Sequence, residues 1–199
     1  MKPVTIITAR AVPLDRSDVD TDQIIPSDWL KRVERTGFGA GLFSEWRDDR
    51  DFVLNQPHHV GAGILVAGHN FGTGSSREHA VWALLDYGFE AVVSSQFADI
   101  FRNNCTKQGL VPVQVTPEVL RALFDAIDAD PSVELTIDVA RGTVEAPAAG
   151  ITATFPLDEF TRERLLNGWD DIGLSLRYED DLEAYEAARP SWLPTTAPA

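Results

Sequence analysis

The fold is decided by the stretch Ile64-Leu65-Val66-Ala67-Gly68-His69-Asn70-Phe71-Gly72-Thr73-Gly74-Ser75-Ser76-Arg77-Glu78-His79. Its first four residues are apolar and predict a buried strand, and residues 80–85, which follow it, predict one face of a helix that ends at Gly88. The glycines fall in the turn between them, where the backbone can approach a ligand closely. The stretch therefore predicts a strand-to-helix turn that can hold an anionic substrate.

The sequence on either side continues the succession of strands and helices. Residues 4–8, 91–94 and 110–113 predict strands, and residues 97–104 predict a helix. Pro117 starts the most clearly amphipathic helix, whose apolar residues recur at helical spacing as far as residue 127. This alternation predicts an α/β fold with a mostly parallel central sheet covered by helices.

Beyond residue 133 the hydrophobic period changes to two. Residues 133–139 and 143–145 alternate in polarity around Arg141-Gly142 and predict a hairpin, with a further strand over 151–155. The rest of the chain predicts a helix over 158–167 that ends before Gly168, a turn over 170–174 and an acidic helix over 179–189. We expect one domain over residues 1–160, followed by a helical C-terminal extension and a loose tail over 161–199.

The net charge of the chain limits the kinds of partner that it is expected to bind. Its 199 residues include 31 Asp and Glu against 17 Lys and Arg, a formal net charge of −14. Such a charge repels nucleic acid and anionic membranes, so we expect neither as a partner. A small acidic substrate would then need a local group of arginines. Pro57, glycines, Asn70 and three histidines interrupt the uncharged stretch from Phe52 to Ser76, so we expect a soluble, cytoplasmic protein.

The sequence has no complete metal-binding motif. The single cysteine, Cys105, excludes an internal disulfide and by itself cannot hold zinc or an iron–sulfur cluster. Asp15, Asp18, Asp20 and Asp22 crowd one loop, but the glycine and the terminal glutamate of a calcium loop are missing. We therefore expect no metal ligands in this chain, and solvated loop carboxylates at Asp15 and Asp18.

Three interpretations of the turn over residues 72–77 compete. A phosphate loop is weakly supported, since the Gly-Lys-Ser/Thr ending is missing and Arg77 takes the place of the last glycine of G-x-G-x-x-G. Capping of the helix by Ser75 or Ser76 is expected, but it leaves Arg77 and one serine unexplained. The third is a carboxylate-binding and proton-transfer site, in which Arg77 and backbone N–H groups hold the anion while one serine handles a proton.

The third interpretation needs more positive charge than the turn supplies. A helix N-terminus contributes about 2 kcal/mol at best, and one pKa unit corresponds to about 1.36 kcal/mol. The helix therefore lowers the pKa of a serine hydroxyl by little more than a unit. Arginines, or a metal on a partner, must supply the rest.

Residues 72–79, Gly-Thr-Gly-Ser-Ser-Arg-Glu-His, closely resemble the Gly-x-Gly-Ser-Ser-Arg-Glu-His motif of the small, swivelling domain of the aconitase superfamily. Residues 19–26, 30–39 and 104–112 resemble the small-subunit family of the bacterial 3-isopropylmalate dehydratases. The resemblance covers about residues 1–190. It implies a three-layer β/β/α swivel domain.

The same resemblance implies an activity and a partner. In that family the small subunit serves a hydro-lyase of leucine biosynthesis, which interconverts 2-isopropylmalate and 3-isopropylmalate through isopropylmaleate. A 4Fe-4S cluster, held by three cysteines of a separate large subunit, binds the substrate hydroxyl and a carboxylate as a Lewis acid. The resemblance therefore implies a heterodimer or higher assembly, with no cofactor bound by this chain.

Individual residues take their expected roles from the resemblance. Ser75 matches the serine that acts as the catalytic base, and Ser76 and Arg77 match residues that bind the substrate carboxylate. Asp22 matches an active-site aspartate that supports the acid side of the reaction, with capping of a turn as the alternative. We expect His79 to pack rather than to act in catalysis.

A basic segment over residues 29–41 has two interpretations. It runs into three glycines spaced two apart, which is compatible with a short helix that has a glycine-rich exit. Its three cations favour a substrate loop instead.

By the resemblance, Leu30, Lys31, Arg32 and Val33 lie where superfamily members distinguish their substrates. Leu30 or Val33 would suit an isopropyl group, whereas Arg32 and Arg35 would suit a carboxylate-bearing chain. The alternatives to isopropylmalate are therefore homoaconitate or dimethylmalate, and a different class of function is a non-catalytic dicarboxylate-binding module.

Overall fold

The computed structural model describes residues 1–32, 36–74, 77–190 and 192–193. The strands are β1 (Ile6–Leu14), β2 (Ile64–Ala67), β3 (Ala91–Ser94), β4 (Val111–Gln114), β5 (Glu134–Asp138), β6 (Thr143–Ala146) and β7 (Ile151–Thr154). The α-helices are α1 (Thr21–Ile24), α2 (Glu78–Tyr87), α3 (Asp99–Gln108), α4 (Pro117–Ala129), α5 (Glu159–Asn167), α6 (Asp171–Ser175) and α7 (Glu179–Ala187).

The strands form a single sheet in the order β4-β3-β2-β1-β5-β6-β7. β1 to β4 are parallel to their neighbours, with Leu14 opposite Ala67 at the end of β1 and β2. β1 pairs with β2 through its second half and antiparallel with β5 through its first half, where Ile6 lies opposite Asp138. β1 is therefore the strand that joins the parallel part of the sheet to the antiparallel part. The predicted α/β class, a parallel sheet extended by hairpin strands, is confirmed.

Two apolar cores lie on opposite faces of the sheet, because successive strand residues point to opposite sides. Leu65 and Val92 belong to the core under α2 and α3. Ile64 and Val66 belong to the other core, which contains residues of α4, β5 and β6. All four residues of β2 are buried, as a strand covered on both faces requires.

Some boundaries differ from the prediction. β1 covers residues 6–14 rather than 4–8. The charged Arg10 interrupts the apolar pattern by which the strand is recognised in the sequence. The Arg10 guanidinium donates hydrogen bonds to the carbonyls of His58 and Val60, at 2.9 and 2.6 Å. α3 begins at Asp99 rather than at Phe97, since Phe97 pairs with Phe71 in an isolated parallel bridge. Tertiary pairing thus overrode the local signal.

The region after β7 packs against the N-terminus of the chain. α5 has the predicted ends, with Asp158 accepting a hydrogen bond from the Thr161 N–H at 2.9 Å and Gly168 at positive φ. The N-terminal ammonium donates to the Gly168 carbonyl at 3.0 Å. α5 spans residues 160 and 161, and the domain division there remains a prediction.

The last two helices extend beyond α5. The turn predicted over 170–174 is wrong, because the Asp170 carboxylate caps α6 by accepting the Gly173 N–H at 2.7 Å. α7 ends at Ala187 rather than at residue 189 and has no buried residue. Among the described residues, no helix is long and apolar enough to cross a membrane.

Candidate active site

Three loops meet beyond the carboxyl ends of β1, β2 and β3. Their described residues are 15–20 before α1, 68–74 and 77 before α2, and 95–98 before α3. The three strands are parallel neighbours, so these loops emerge side by side at one edge of the sheet. In open α/β sheets this edge is where ligands bind.

The first two loops are joined by backbone hydrogen bonds. The Gly72 N–H donates to the Val19 carbonyl at 2.8 Å, and the Thr21 N–H donates to the Thr73 carbonyl at 2.9 Å. These bonds continue the pairing of β1 with β2 beyond the strands. The start of α1 is thereby held beside the glycine-rich turn.

The second and third loops are joined in the same way. The Phe71 N–H donates to the Gln96 carbonyl at 2.9 Å, and the Ala98 N–H donates to the Phe71 carbonyl at 3.1 Å. The buried Ser94 hydroxyl donates to the Gly68 carbonyl at 2.6 Å. The glycine-rich turn therefore lies fixed between its two neighbours.

Gly72 is required by packing within the chain. Its φ is +80°, and a Cβ at this position would overlap the ring of Phe101 on α3. The sequence predicts that the glycines of this turn allow a ligand to approach the backbone. For Gly72 the close neighbour is instead an aromatic ring of the protein.

We expect Gly72→Ala to lower the free energy of unfolding by about 2–5 kcal/mol, from about 1–2 kcal/mol for the left-handed backbone and about 1–3 kcal/mol for the overlap with Phe101. Gly150→Ala is the matched control, because Gly150 has φ +67° and no described atom within 4 Å of an added Cβ. It should cost only about 1–2 kcal/mol. Urea unfolding of both variants measures the difference, and equal losses would contradict the overlap with Phe101.

Asp20 and Asp22 divide two roles at the start of α1. The Asp20 carboxylate accepts the Gln23 N–H at 2.8 Å, and the Gln23 side chain accepts the Asp20 N–H at 3.0 Å, which forms a capping box. Capping thus belongs to Asp20 and not to Asp22. The Asp22 carboxylate instead forms an ion pair with the Arg77 guanidinium.

Arg77 occupies the N-cap position of α2, in an extended backbone conformation. A capping role was predicted for Ser75 or Ser76, which lie outside the described residues, so that prediction stays untested. The Arg77 side chain is 19 % exposed, against 52 % for the Asp22 side chain. Ser75 and Ser76 lie outside the described residues, so their predicted roles stay predictions.

A cleft of about 260 Å³ lies between the amino ends of α2 and α3. Its lining consists of Thr21, Gly72, Gly74, Arg77, Ala98, Asp99, Ile100 and Phe101. Two helix N-termini and one guanidinium on the lining favour an anionic group, although the Asp99 carboxylate opposes them. The volume suits a small organic acid, since pockets for larger ligands are typically about 300–1,000 Å³.

A larger hollow of about 470 Å³ lies against α2 and α3 and does not suit such a substrate. Its lining is Glu78, Trp82, Leu85, Asp86 and Gln108. Of these described residues two are carboxylates and none is a cation, so the hollow repels a dicarboxylate. The cleft beside Arg77 is therefore the better candidate site.

The described part of the basic segment makes local contacts. Residues 27–31 form a short 3₁₀ helix, in which the exposed Lys31 ammonium lies 2.9 Å from the Asp28 carboxylate. The Arg32 guanidinium lies over the Trp29 ring at 5.0 Å and donates to the Gly37 carbonyl at 3.1 Å. Arg32 is thus engaged within its own segment. Leu30 is half-buried in the same 3₁₀ helix, and Val33 lies outside the described residues.

His79 packs among aromatic rings beside α2. Its ring centroid lies 5.4 Å from that of Phe38 and 4.6 Å from that of Trp82. This arrangement agrees with the packing role expected from the sequence.

The acidic loop is held by cations and donors of the protein. The Asp15 carboxylate lies 3.0 Å from the Arg121 guanidinium, and the Asp18 carboxylate accepts a hydrogen bond from the Asn70 amide at 2.7 Å. Both are therefore partnered rather than simply solvated. Across the described ranges, no group of three or more His, Cys, Asp or Glu side chains is arranged to hold a metal ion.

Cys105 does not fit the ligand set of an iron–sulfur cluster. It lies on α3, fully buried in the core beneath α2 and α3. Burial raises the pKa of its thiol well above the usual range, which disfavours the thiolate that a cluster requires. The residues of the described chain therefore offer no place for a cluster.

We expect Cys105 of the native chain to resist a thiol-reactive disulfide reagent at pH 8, because the thiol is both buried and protonated. Labelling should proceed only at the rate at which the chain unfolds. In concentrated guanidinium chloride, one thiol per chain should react at once. Fast labelling of the native chain would contradict the burial of Cys105.

The contribution of α3 to the cleft was not predicted from the sequence. Ala98, Asp99 and Ile100 line it at the start of that helix. The local sequence carries a weak signal, an acidic residue at the first helical position, which complements the helix dipole. The contact between Asn70 and Asp18 was not predicted either.

The fold and the site define a domain of the aconitase C-terminal class. Residues 1–118 match the family described as the aconitase C-terminal domain. Residues 171–199 match the family described as the C-terminal domain of the 3-isopropylmalate dehydratase small subunit. The resemblance stated from the sequence is confirmed by these matches.

Similar proteins narrow the family. The chain is 63% identical to a 3-isopropylmalate dehydratase small subunit of Frankia casuarinae, over 99% of this chain and 100% of that one. It is 57% identical to that of Rubrobacter xylanophilus, over 98% of each. A crystal structure of 3-isopropylmalate dehydratase from Methanocaldococcus jannaschii superposes with a TM-score of 0.66 at 25% identity, over 91% of this chain and 99% of that one. The chain belongs to the 3-isopropylmalate dehydratase small-subunit family, whose members are hydro-lyase subunits.

Proposed function

We propose that this chain supplies half of an active site that interconverts 2-isopropylmalate and 3-isopropylmalate through isopropylmaleate. The observation that carries the proposal is the Asp22–Arg77 ion pair, which joins α1 to the loop before α2 at the edge of the sheet where ligands bind. Arg77 lines the cleft between the amino ends of α2 and α3. Water is removed from the substrate and then added back, as the hydro-lyase class requires.

Arg77 binds a substrate carboxylate. One nitrogen of its guanidinium engages Asp22, and the planar fork retains further N–H donors for a second carboxylate. The largely buried side chain keeps its charge away from bulk water, which strengthens the attraction. Ser76, its neighbour in sequence, assists in holding the same carboxylate.

Ser75 is the base that removes the proton from the carbon beside that carboxylate. It follows Gly74 and precedes the start of α2 by three residues. The amino end of α2 and Arg77 both favour the charged oxygen that develops when a serine hydroxyl gives up its proton.

Asp22 has two roles in this proposal. Its carboxylate orients Arg77 through the ion pair, and more than half of its side-chain surface stays exposed for proton exchange with the leaving hydroxyl. Because Asp20 caps α1, Asp22 is free of that structural task.

The partner is a large subunit that carries a 4Fe-4S cluster. The described part of this chain lacks residues that fit a cluster, since Cys105 is buried in the core. When bound in the partner, the cluster supplies Lewis-acid stabilisation at the substrate hydroxyl and a carboxylate. The assembly is a heterodimer or a higher form of it, and its place is the cytoplasm.

The residues that choose the substrate are Leu30, Lys31, Arg32 and Val33. Arg32 uses part of its guanidinium within its own segment, where it lies over the Trp29 ring and donates to the Gly37 carbonyl. The names of the similar small subunits favour isopropylmalate over homoaconitate.

The test mixes the chain with its large subunit under anaerobic conditions and follows the absorbance of isopropylmaleate. Activity on isopropylmalate, with neither subunit active alone, supports the proposal. A panel that adds the homoaconitate and dimethylmalate substrates decides the specificity, and a preference for either would overturn the isopropylmalate assignment. Tight binding of a dicarboxylate to the chain alone, measured by calorimetry, together with no activity in the mixture, would indicate a binding module instead.

A further inference from the structure

Two residues with left-handed backbones are joined by a hydrogen bond between the first two loops of the candidate site. Asp18 has φ 56° and Asn70 has φ 60°. Within the described chain, Phe43 is the one other residue besides glycine with positive φ. The Asn70 side-chain amide donates a hydrogen bond to the Asp18 carboxylate at 2.7 Å.

Each of these residues lies where its loop changes direction after a strand. Asp18 follows the end of β1 by four residues and precedes Asp22 by four. Asn70 follows the end of β2 by three residues and precedes Arg77 by seven. The side-chain bond therefore joins the two loops between the sheet and the ion pair.

The chemistry of the pair suits this task. Aspartate and asparagine enter the left-handed region more readily than other residues with a Cβ. An ionised carboxylate only accepts hydrogen bonds, whereas the amide nitrogen only donates. The backbone adds a second link at the same level, since the Asp18 N–H donates to the His69 carbonyl at 2.8 Å.

We propose that Asp18 and Asn70 are positioning residues, whose mutual hydrogen bond sets the separation and orientation of Asp22 and Arg77. This inference rests on the proposed function of that ion pair. Neither Asp18 nor Asn70 lines the cleft, so they act through their loops rather than on the substrate. A small displacement of a catalytic group is enough to lower a rate, because about 1 Å of misplacement can cost about 100-fold.

Exchange of the two side chains tests the inference. Asn70→Asp places two carboxylates opposite each other and removes the donor, whereas Asp18→Asn keeps an acceptor oxygen for the Asn70 amide. The double variant D18N/N70D restores the bond with donor and acceptor exchanged. We expect kcat of the reconstituted enzyme to fall about 10- to 100-fold in N70D, and to stay within about threefold of the parent in D18N and in the double variant, as recovery of a paired contact requires.

Asn167→Asp is the matched control. The Asn167 amide donates to the Glu163 carbonyl at 2.8 Å on α5, so the same substitution removes one side-chain bond away from the three loops. Melting temperatures of the full-length variants accompany the kinetics. N70D and N167D should shift the melting temperature alike, while only N70D lowers kcat.

A structural role alone gives a different pattern. Unchanged kcat in N70D, or no recovery in D18N/N70D, would overturn the inference. If N70D does not fold, recovery in the double variant still supports it and failure of the double variant overturns it.

The side-chain NMR signal of Arg77 in the full chain needs no substrate or partner. Its guanidinium resonance should shift in N70D and return in the double variant, and an unmoved signal would overturn the inference. If the parent complex is inactive on isopropylmalate, the proposed function fails, yet this signal still decides whether the pair positions Arg77.

Discussion

Replacing Ser75 by alanine should lower kcat of the reconstituted enzyme by about 10²- to 10⁴-fold, the usual contribution of a positioned general base. The KM for isopropylmalate should change much less. The methyl side chain cannot accept the proton, while Arg77 and the amino ends of α2 and α3, which we propose bind the carboxylate, are unchanged. Initial rates of isopropylmaleate formation, measured over a range of substrate concentrations, separate the two parameters.

The expected loss of kcat is large because a serine is a weak base that depends on positive charge around it. The N-terminus of α2 contributes about 2 kcal/mol at most, which is little more than one pKa unit at about 1.36 kcal/mol each. Arg77 and the charge on the partner must supply the remainder. A residue that depends on so much assistance is not easily replaced by another group when it is removed.

Ser132→Ala is the matched control for that experiment. The Ser132 hydroxyl donates to the Asp130 carboxylate at 2.6 Å, before β5 and apart from the three loops of the site. Its loss should leave kcat unchanged. Activity of S75A equal to that of S132A would exclude Ser75 as the base.

The elements that the sequence predicted best are those whose signal is local. β2 and β3 occur at the predicted residues, because continuous apolar runs bounded by glycine and polar residues are typical of strands buried on both faces. The hairpin of β5 and β6 followed from its period of two. β1 was harder, since Arg10 breaks the pattern and finds its hydrogen bonds in a distant loop.

The site depended on contacts between distant parts of the chain. Asp22 and Arg77 are 55 residues apart in sequence, and Asp18 and Asn70 are 52 apart. No local pattern predicts such pairs, because they result from the parallel register of β1 with β2. The resemblance to a family named Asp22 and Arg77 separately, and the structure shows that they form one ion pair.

The residues that cap α1 and α2 were also difficult to predict from the sequence. A serine before a helix is a good capping signal, but Ser75 and Ser76 lie outside the described residues, and Arg77 is the residue at the N-cap position of α2. The helix α1 was not predicted, and the residue that caps it is Asp20 rather than Asp22, for which capping of a turn was the alternative role.

Replacing Arg77 by lysine should lower kcat/KM by about 100-fold or more, although the charge is retained. A lysine ammonium is a point charge on a flexible stem and cannot hold two carboxylates in the planar geometry of a guanidinium. Each hydrogen bond to a charged group contributes about 1.5–3 kcal/mol, and each 1.4 kcal/mol is a factor of about ten. Arg141→Lys, at an exposed turn, is the matched control and should have no effect.

A double-mutant cycle separates the two contacts of Arg77. If the guanidinium served only to orient Asp22, R77K would add nothing to Asp22→Asn, because the ion pair is already broken. We expect R77K to raise KM at least about tenfold even in the D22N background, since the contact with the substrate carboxylate is lost independently. Full loss of the R77K effect in that background would restrict Arg77 to positioning Asp22, and the substrate carboxylate would then be bound by the helix N-termini or by the partner.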